Sequence, residues 1–345
     1  MNSYVELALE RQRRFCEEAQ ARLGLPATSI EKDFWVCWTL RELFGLPEWG
    51  PHLTFKGGTS LSKAWKLVDR FSEDIDIVID RDFLGFGGDQ GPEAAPSKKQ
   101  MRLRLEKLKE ACQRRIREDL KVALETRFQS VLPKESTWTL SIAPPDVDPD
   151  QQTLLFAYPT ALPGTEGYVN PWVKIELGAR SDTEPAETPS LRSYLHEALE
   201  QALGPGAFSV RAVAPRRTFW EKAMLLHEET YRPAGKPRKA RMARHYYDLW
   251  CLVSKGVARQ ATEDVGLFER IVAHREVFFR YTWMDYSTLR QGMLRILPTA
   301  EQREFWEQDY KAMREDMFFG EVPTFDEILN VVGSFEQEFN KNRPG

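Results

Sequence analysis

Phe55-Lys56-Gly57-Gly58-Thr59-Ser60-Leu61-Ser62-Lys63, followed by Arg70-Phe71-Ser72-Glu73-Asp74-Ile75-Asp76-Ile77-Val78-Ile79-Asp80, decides how this chain folds. Leu53, Thr54 and Phe55 predict a short strand, and the paired glycines after it let the backbone turn tightly with its N–H groups uncovered. A helix is expected from the turn, capped by Thr59 or Ser60, with Leu61, Ala64, Trp65 and Leu67 on its apolar side. Exposed N–H groups at a helix start attract phosphate. In the second strand Ile75, Ile77 and Ile79 alternate with Asp74, Asp76 and Val78, so two carboxylates project from one face. Like charges so close repel, and an all-oxygen pair with room for phosphate suits Mg²⁺.

Either fragment alone is ordinary. Gly-Gly-Thr-Ser is a common turn, and Asp-x-Asp more often decorates a solvated strand edge than a metal site. In this order and spacing they resemble the nucleotide-binding hairpin of polymerase-β-like nucleotidyltransferases. The candidate phosphate contacts are Lys56, Gly57, Gly58, Thr59, Ser60 and Ser72, and the candidate metal ligands are Asp74 and Asp76.

Working outward, 345 residues allow two domains or one core with a helical extension, and 42% apolar residues suffice for packed cores. A net charge of −4 excludes a molecule that is basic all over, so any nucleic-acid contact must use a local patch. Cys16, Cys37, Cys112 and Cys251 form no Cys-x-x-Cys pair and the five histidines have no metal-ligand spacing, which fits reduced thiols and argues against zinc. The chain opens without a signal-peptide core and has no apolar run of membrane-spanning length, so a soluble cytoplasmic protein is expected.

Helices are expected over 3 to 23 and 30 to 44, the second beginning with Glu31-Lys32-Asp33 as a solvated first turn. A Gly- and Pro-rich segment between Asp80 and Ser97 reads as a flap or an inert insertion, and 98 to 127 as a long helix with a solvated basic face. Strands follow at 138 to 142, 153 to 158 and 172 to 177. In the last, Glu176 stands on the polar face: a third metal carboxylate if this strand pairs beside Asp74 to Ile79, otherwise an edge-strand acid. A helix over 191 to 203 and a strand over 208 to 213 complete a core of residues 1–214. Pro215 marks the change to a helical part, 215–345, in which Thr299 with Gln302 and Thr324 serve as helix caps. Phe278, Phe279, Tyr281, Trp283 and Trp306 read as core residues.

That helical part holds a second constellation. Lys222 lies on the apolar side of the helix beginning Arg216-Arg217-Thr218-Phe219-Trp220-Glu221, where an ammonium needs an anionic partner. A triphosphate would serve, as would Asp248 from the helix expected over 241 to 253; Asp248 could equally pair locally with Arg244. Between these helices Arg232 to Arg241 gathers positive charge, making Arg238, Lys239, Arg241 and Arg244 the candidate RNA-phosphate contacts, with a solvated loop as the alternative.

Taken together, Glu31-Lys32-Asp33-Phe34-Trp35-Val36, the glycine turn with Ser72-Glu73-Asp74-Ile75-Asp76, Lys174-Ile175-Glu176-Leu177, Thr218-Phe219-Trp220-Glu221-Lys222-Ala223 and His245-Tyr246-Tyr247-Asp248-Leu249-Trp250 resemble the AbiEii-type nucleotidyltransferase toxins of bacterial toxin–antitoxin and phage-defence (abortive infection) systems. The resemblance implies an α+β fold: a polymerase-β-like core with a mixed sheet and a helical C-terminal part that contributes Lys222 and Asp248 to the site. It implies a Mg²⁺-dependent enzyme that transfers a nucleoside monophosphate from an NTP to an RNA, the tRNA 3′ end, inhibiting translation and growth, with an antitoxin as partner. On the family's motifs Gly58 and Ser60 or Ser72 lie near phosphate, Asp74 and Asp76 bind metal, Lys222 meets the triphosphate and Asp248 is a further essential acid. Two rivals stand beside it: transfer to a small molecule or protein hydroxyl, which the negative net charge permits, and a catalytically silent NTP- or antitoxin-binding module.

Overall fold

The computed structural model describes residues 1–72, 74–163, 170–318 and 322–341; Glu73 of the acidic motif lies outside them. The chain divides into two compact units, Met1–Ala64 with Glu73–Ala212, and Trp65–Ser72 with Val213–Gly345.

The strands are β1 Leu53–Lys56, β2 Ile75–Ile79, β3 Thr139–Ile142, β4 Thr153–Ala157, β5 Trp172–Gly178, β6 Ala186–Glu187, β7 Ser190–Leu191, β8 Phe208–Ser209 and β9 Ala212–Val213. Seven form one mixed sheet in the order β3-β4-β5-β2-β1-β9-β6, while β7 and β8 pair separately. β1 and β2 are antiparallel, with Lys56 opposite Asp76. β2 and β5 are parallel, with Asp76 beside Glu176. The expected alternation is present: Ile75, Ile77 and Ile79 are buried, and Val78 is buried on the other face.

One helix, Ala27–Phe44, is buried on nearly every side and forms the centre of the first unit. Trp35 and Trp38 are fully enclosed, Trp35 stacking on Tyr158 at 5.4 Å and Trp38 on Phe156 at 5.7 Å. Removing each such ring from water contributes roughly 3 kcal/mol. The solvated first turn expected at Glu31-Lys32-Asp33 is not what forms, since all three side chains are buried. Glu31 accepts bonds from Thr160 Oγ1 (2.7 Å) and Ala161 N (2.6 Å). Lys32 donates to the carbonyls of Asn170 and Trp172, and Asp33 pairs with Lys63 and accepts from Tyr194 N at 2.7 Å. The triplet is a polar clasp holding distant loops to the helix, because buried charge is tolerated only when every group is paired.

Several expected elements differ at their ends. The N-terminal helix is interrupted, as Asn2–Val5 and Leu9–Leu23, where Gln12 Nε2 donates to Leu7 O at 2.8 Å. The long helix runs from Lys98 past the expected end to Val131, through one π turn at Ile116–Leu120. Its buried residues Leu108, Cys112, Ile116, Leu120, Leu124 and Phe128 recur every four positions. In a 3.6-residue helix such a row drifts by about 40° per step, and the wider π turn takes up part of that drift. The helix expected over 191 to 203 breaks at Leu199 into Tyr194–Ala198 and Glu200–Leu203, and the strand over 208 to 213 is two short ones.

The second unit is helical: Pro215–Thr230, Arg244–Ser254, Val257–Glu263, Leu267–Phe278, Ala300–Met317 and Phe325–Lys341. Phe219, Trp220, Phe268, Phe335 and Phe339 interlock at its core, with Phe219 edge-on to Phe335 at 4.9 Å. The Thr299–Gln302 capping box is present, and Thr324 Oγ1 accepts from Glu327 N. This unit also takes in Trp65–Ser72. Arg70 bridges to Phe318 and Phe71 N donates to Met317 O at 2.7 Å, which explains why the helix after the glycine turn stops at Ala64 instead of continuing through Leu67. Among the described residues no helix is long and apolar enough to cross a membrane.

Candidate functional site

In the first unit the glycine turn is shaped by an acid. Gly57 has φ +79°, a left-handed conformation that costs other residues strain, and a methyl group on it would lie 2.0 Å from Asp76 Oδ2. Both conditions demand glycine. The helical turn begins at Gly57 itself, so Thr59 and Ser60 lie inside it and are not its caps. Thr59 Oγ1 instead donates to the carbonyl of Asp74, fastening the turn to the entry of β2. Ser60 is fully enclosed, and its hydroxyl has no hydrogen-bond partner among the described residues.

β2 begins at Ile75, leaving Asp74 just ahead of the strand and Asp76 within it. Because β5 lies parallel to β2 in register, Glu176 stands beside Asp76. Burial, reinforced by the neighbouring Glu176 carboxylate and by Asp74, pushes the Asp76 carboxyl up to about 7 against the pull of Lys56. Lys174 pairs with Glu176. Burial of Lys174 works to lower its pKa, but Glu176, with Asp74 and Asp76 behind it, outweighs that and raises it. Lys56 Nζ donates to Ser181 Oγ at 2.7 Å.

These oxygens suit a hard divalent cation, and their mutual repulsion favours one. Among the described residues no three acidic, imidazole or thiol groups converge as a ready-made metal cage. Asp74 and Asp76 are the carboxylates that would hold such an ion. The pairing expected of this strand beside Asp74 to Ile79 is present, so Glu176 adjoins Asp76 while pairing with Lys174.

In the second unit Asp248 is fully buried between two cations. Arg70 grips it with both ends of the guanidinium (Nε to Oδ1, 2.7 Å; NH2 to Oδ2, 2.9 Å), and Lys222 Nζ lies 2.7 Å from Oδ2. Burial alone would raise the Asp248 pKa, but Arg70 and Lys222 outweigh it and hold the carboxyl far below the usual range. The local alternative does not form: among the described residues Arg244 makes no ion pair with Asp248. Burial lowers the Lys222 pKa, with Asp248 pulling up and Arg70 and Arg244 pushing down. His245 Nδ1 is 3.4 Å from Lys222 Nζ, and burial followed by the charge of Lys222 lowers the pKa of its imidazole. Two cations thus share one carboxylate in a nearly dry setting.

Arg70 is the participant that sequence reasoning missed. It was legible only as a charge ahead of Phe71, and its partner lies 178 positions away. Ser72 belongs with Arg70 in the second unit. The expected RNA contacts divide. Arg238 is anchored, with Nε 3.1 Å from Glu229 Oε2 and its guanidinium over Phe305 and Trp306. Arg241 and Lys239 are exposed, Arg241 at φ +64° with its N–H on Asp309, and Arg244 is half-buried.

Over residues 38–331 the chain matches the family model described as the nucleotidyl transferase AbiEii toxin of type IV toxin–antitoxin systems. The chain belongs to this AbiEii family. Among solved structures, AbiEii-family residues here align with MenT4, a nucleotidyltransferase toxin from Mycobacterium tuberculosis H37Rv, at 16% identity and a TM-score of 0.39, covering 95% of this chain and 99% of that one. No curated protein matches. This AbiEii member is thus a transferase of the nucleotidyltransferase toxins, and membership implies an NTP substrate and an antitoxin partner.

Proposed function

We propose that this AbiEii protein transfers a nucleoside monophosphate from Mg²⁺-NTP to an RNA 3′-hydroxyl, that of tRNA, and so arrests translation and growth. The observation that carries the reading is the acidic face of β2, where Asp76 stands in register with Glu176 and is fitted against Gly57 so closely that no side chain could intervene. A bound Mg²⁺ supplies Lewis-acid polarisation of the phosphate and eases loss of the acceptor proton.

The chain's own groups do the rest. Asp74 and Asp76 hold the ion, and the Gly57-Gly58 turn offers backbone amides to phosphate. On the family resemblance, which alone supports this role, Lys222 meets the triphosphate and offsets charge that builds on the departing pyrophosphate as the acceptor oxygen bonds to the α-phosphorus. Asp248, whose carboxyl already accepts from Arg70 and Lys222, is no proton acceptor; it orients Lys222, and Arg70 fixes Asp248. Support for tRNA as acceptor comes from the family resemblance, as does the consequence for growth and phage defence in the cytoplasm.

Incubation with each α-labelled NTP, Mg²⁺ and total RNA tests this. Label is expected in a tRNA-sized band from one or few of the NTPs. Label appearing only in protein or in a small hydroxylated acceptor would overturn the RNA assignment, and NTP binding without any transfer would make the protein a silent binder.

A further inference from the structure

Tyr281 and Trp283, read from the sequence as core, are not both enclosed: Tyr281 is 40% exposed. The two rings stack face to face, centroids 4.6 Å apart and 16° from parallel. One face of the Tyr281 ring lies on Trp283, and the residue keeps 40% of its surface exposed. The backbone that presents it is fixed from beneath. Tyr281 N donates to the hydroxyl of buried Tyr286 at 3.1 Å, and Tyr286 in turn reaches Phe279 O and the Glu228 carboxylate, which is paired with Arg275. Two cations lie near Trp283. The Arg232 guanidinium lies 5.4 Å and Lys236 Nζ 5.9 Å from the Trp283 ring centre. Glu229 neutralises Arg232, whereas exposed Lys236 and Arg280 make no ion pair among the described residues.

A part-exposed aromatic stack with uncompensated Lys236 near it, and exposed Arg280 next to Tyr281 in the chain, has the chemistry of a single-strand nucleic-acid platform. A base adds to the stack through its π face, and neighbouring phosphates meet the cations. We propose that Tyr281, backed by Trp283, is a stacking platform for an unpaired base of the RNA acceptor, with Lys236 and Arg280 holding adjacent phosphates. Identification of that RNA as the acceptor rests on the function proposed above; the platform itself does not. On a chain of net charge −4 the local character of the patch matters, since no general electrostatic attraction draws RNA elsewhere.

The test is fluorescence anisotropy of the full-length protein with a fluorescein-labelled oligoadenylate of about 12 nucleotides, and with the same strand in a blunt duplex. Wild type should bind the single strand more tightly than the duplex. Tyr281→Ala should weaken single-strand binding on the order of tenfold at an unchanged melting temperature, and Tyr281→Phe should restore it. Lys236→Ala should lower the slope of log affinity against log salt by about 0.7. Equal binding by wild type and a folded Tyr281→Ala, or binding of the duplex as tight as the single strand, would overturn the platform. Oligoadenylate bound through Tyr281 by a protein that labels no RNA would uphold the platform and remove the acceptor assignment. RNA labelling by a protein whose affinity ignores Tyr281 would do the reverse.

Discussion

Gly57→Ala puts a methyl group where Asp76 now lies. The new carbon would sit 2.0 Å from Asp76 Oδ2, and reaching ordinary contact near 3.4 Å requires a displacement of about 1.4 Å. The backbone adds its own resistance, because φ +79° costs a residue with a side chain roughly 1–2 kcal/mol. For a unit of about 200 residues that strain lowers the melting temperature by roughly 2–8 °C. A catalytic carboxylate moved by about 1 Å costs on the order of 100-fold in rate. Gly24 provides the control: its φ is +68° with nothing within 4 Å, so Gly24→Ala carries the same strain and no collision. Thermal melts with initial rates of label transfer from NTP to RNA should therefore show both variants destabilised and only Gly57→Ala catalytically crippled. Full activity in Gly57→Ala, or equal losses in both variants, would refute the argument that the glycine exists to admit Asp76.

Three more outcomes follow from the buried charges. Asp248→Ala leaves Arg70 and Lys222 enclosed without a counter-ion, and should cost roughly 3–5 kcal/mol in denaturant unfolding; a loss below 1 kcal/mol would mean that the cluster is open to water. Lys222→Met leaves Arg70 and Asp248 as a balanced pair, so it should melt close to wild type while transfer falls by on the order of 100-fold or more; retained activity would remove Lys222 from the chemistry. Acid should destabilise the fold through His196 and His227, whose burial lowers both imidazoles to about 4. Between that value and the unfolded value near 6.5 the unfolded chain binds more protons than the native one, so stability falls as pH drops through this window. At about 1.36 kcal/mol per pH unit, each contributes roughly 3 kcal/mol of acid lability. His227→Gln should flatten the dependence of unfolding free energy on pH between 6.5 and 4, and an unchanged slope would contradict the assignment.

The hairpin was legible because its determinants are local. Two glycines, alternating isoleucines and an Asp-x-Asp pair specify turn, strand and acidic face without reference to the rest of the chain. Glu176 required one non-local fact, the parallel pairing of β5 with β2, which alternation cannot supply. Glu31, Lys32 and Asp33 were misread for the same reason. Three charges in a first helical turn look solvated, and only partners such as Thr160, Trp172, Lys63 and Tyr194 reveal a clasp. Lys222 announced itself by being charged on an apolar face, which made Asp248 a sensible partner, but nothing within a few positions of Arg70 marks it as the other grip on that carboxylate. Tyr281 shows the opposite failure, since an aromatic near buried aromatics reads as core until its exposure is seen.

The central claim is that Asp76 helps hold the magnesium nucleotide whose nucleoside monophosphate is transferred. Its most direct measurement is pyrophosphate released per nucleotide incorporated into RNA, for wild type and for Asp76→Asn. Wild type should release pyrophosphate in step with incorporation. Asp76→Asn, freed of repulsion from Glu176, should melt no lower than wild type yet release none above background; release at the wild-type rate by that folded variant would contradict the account.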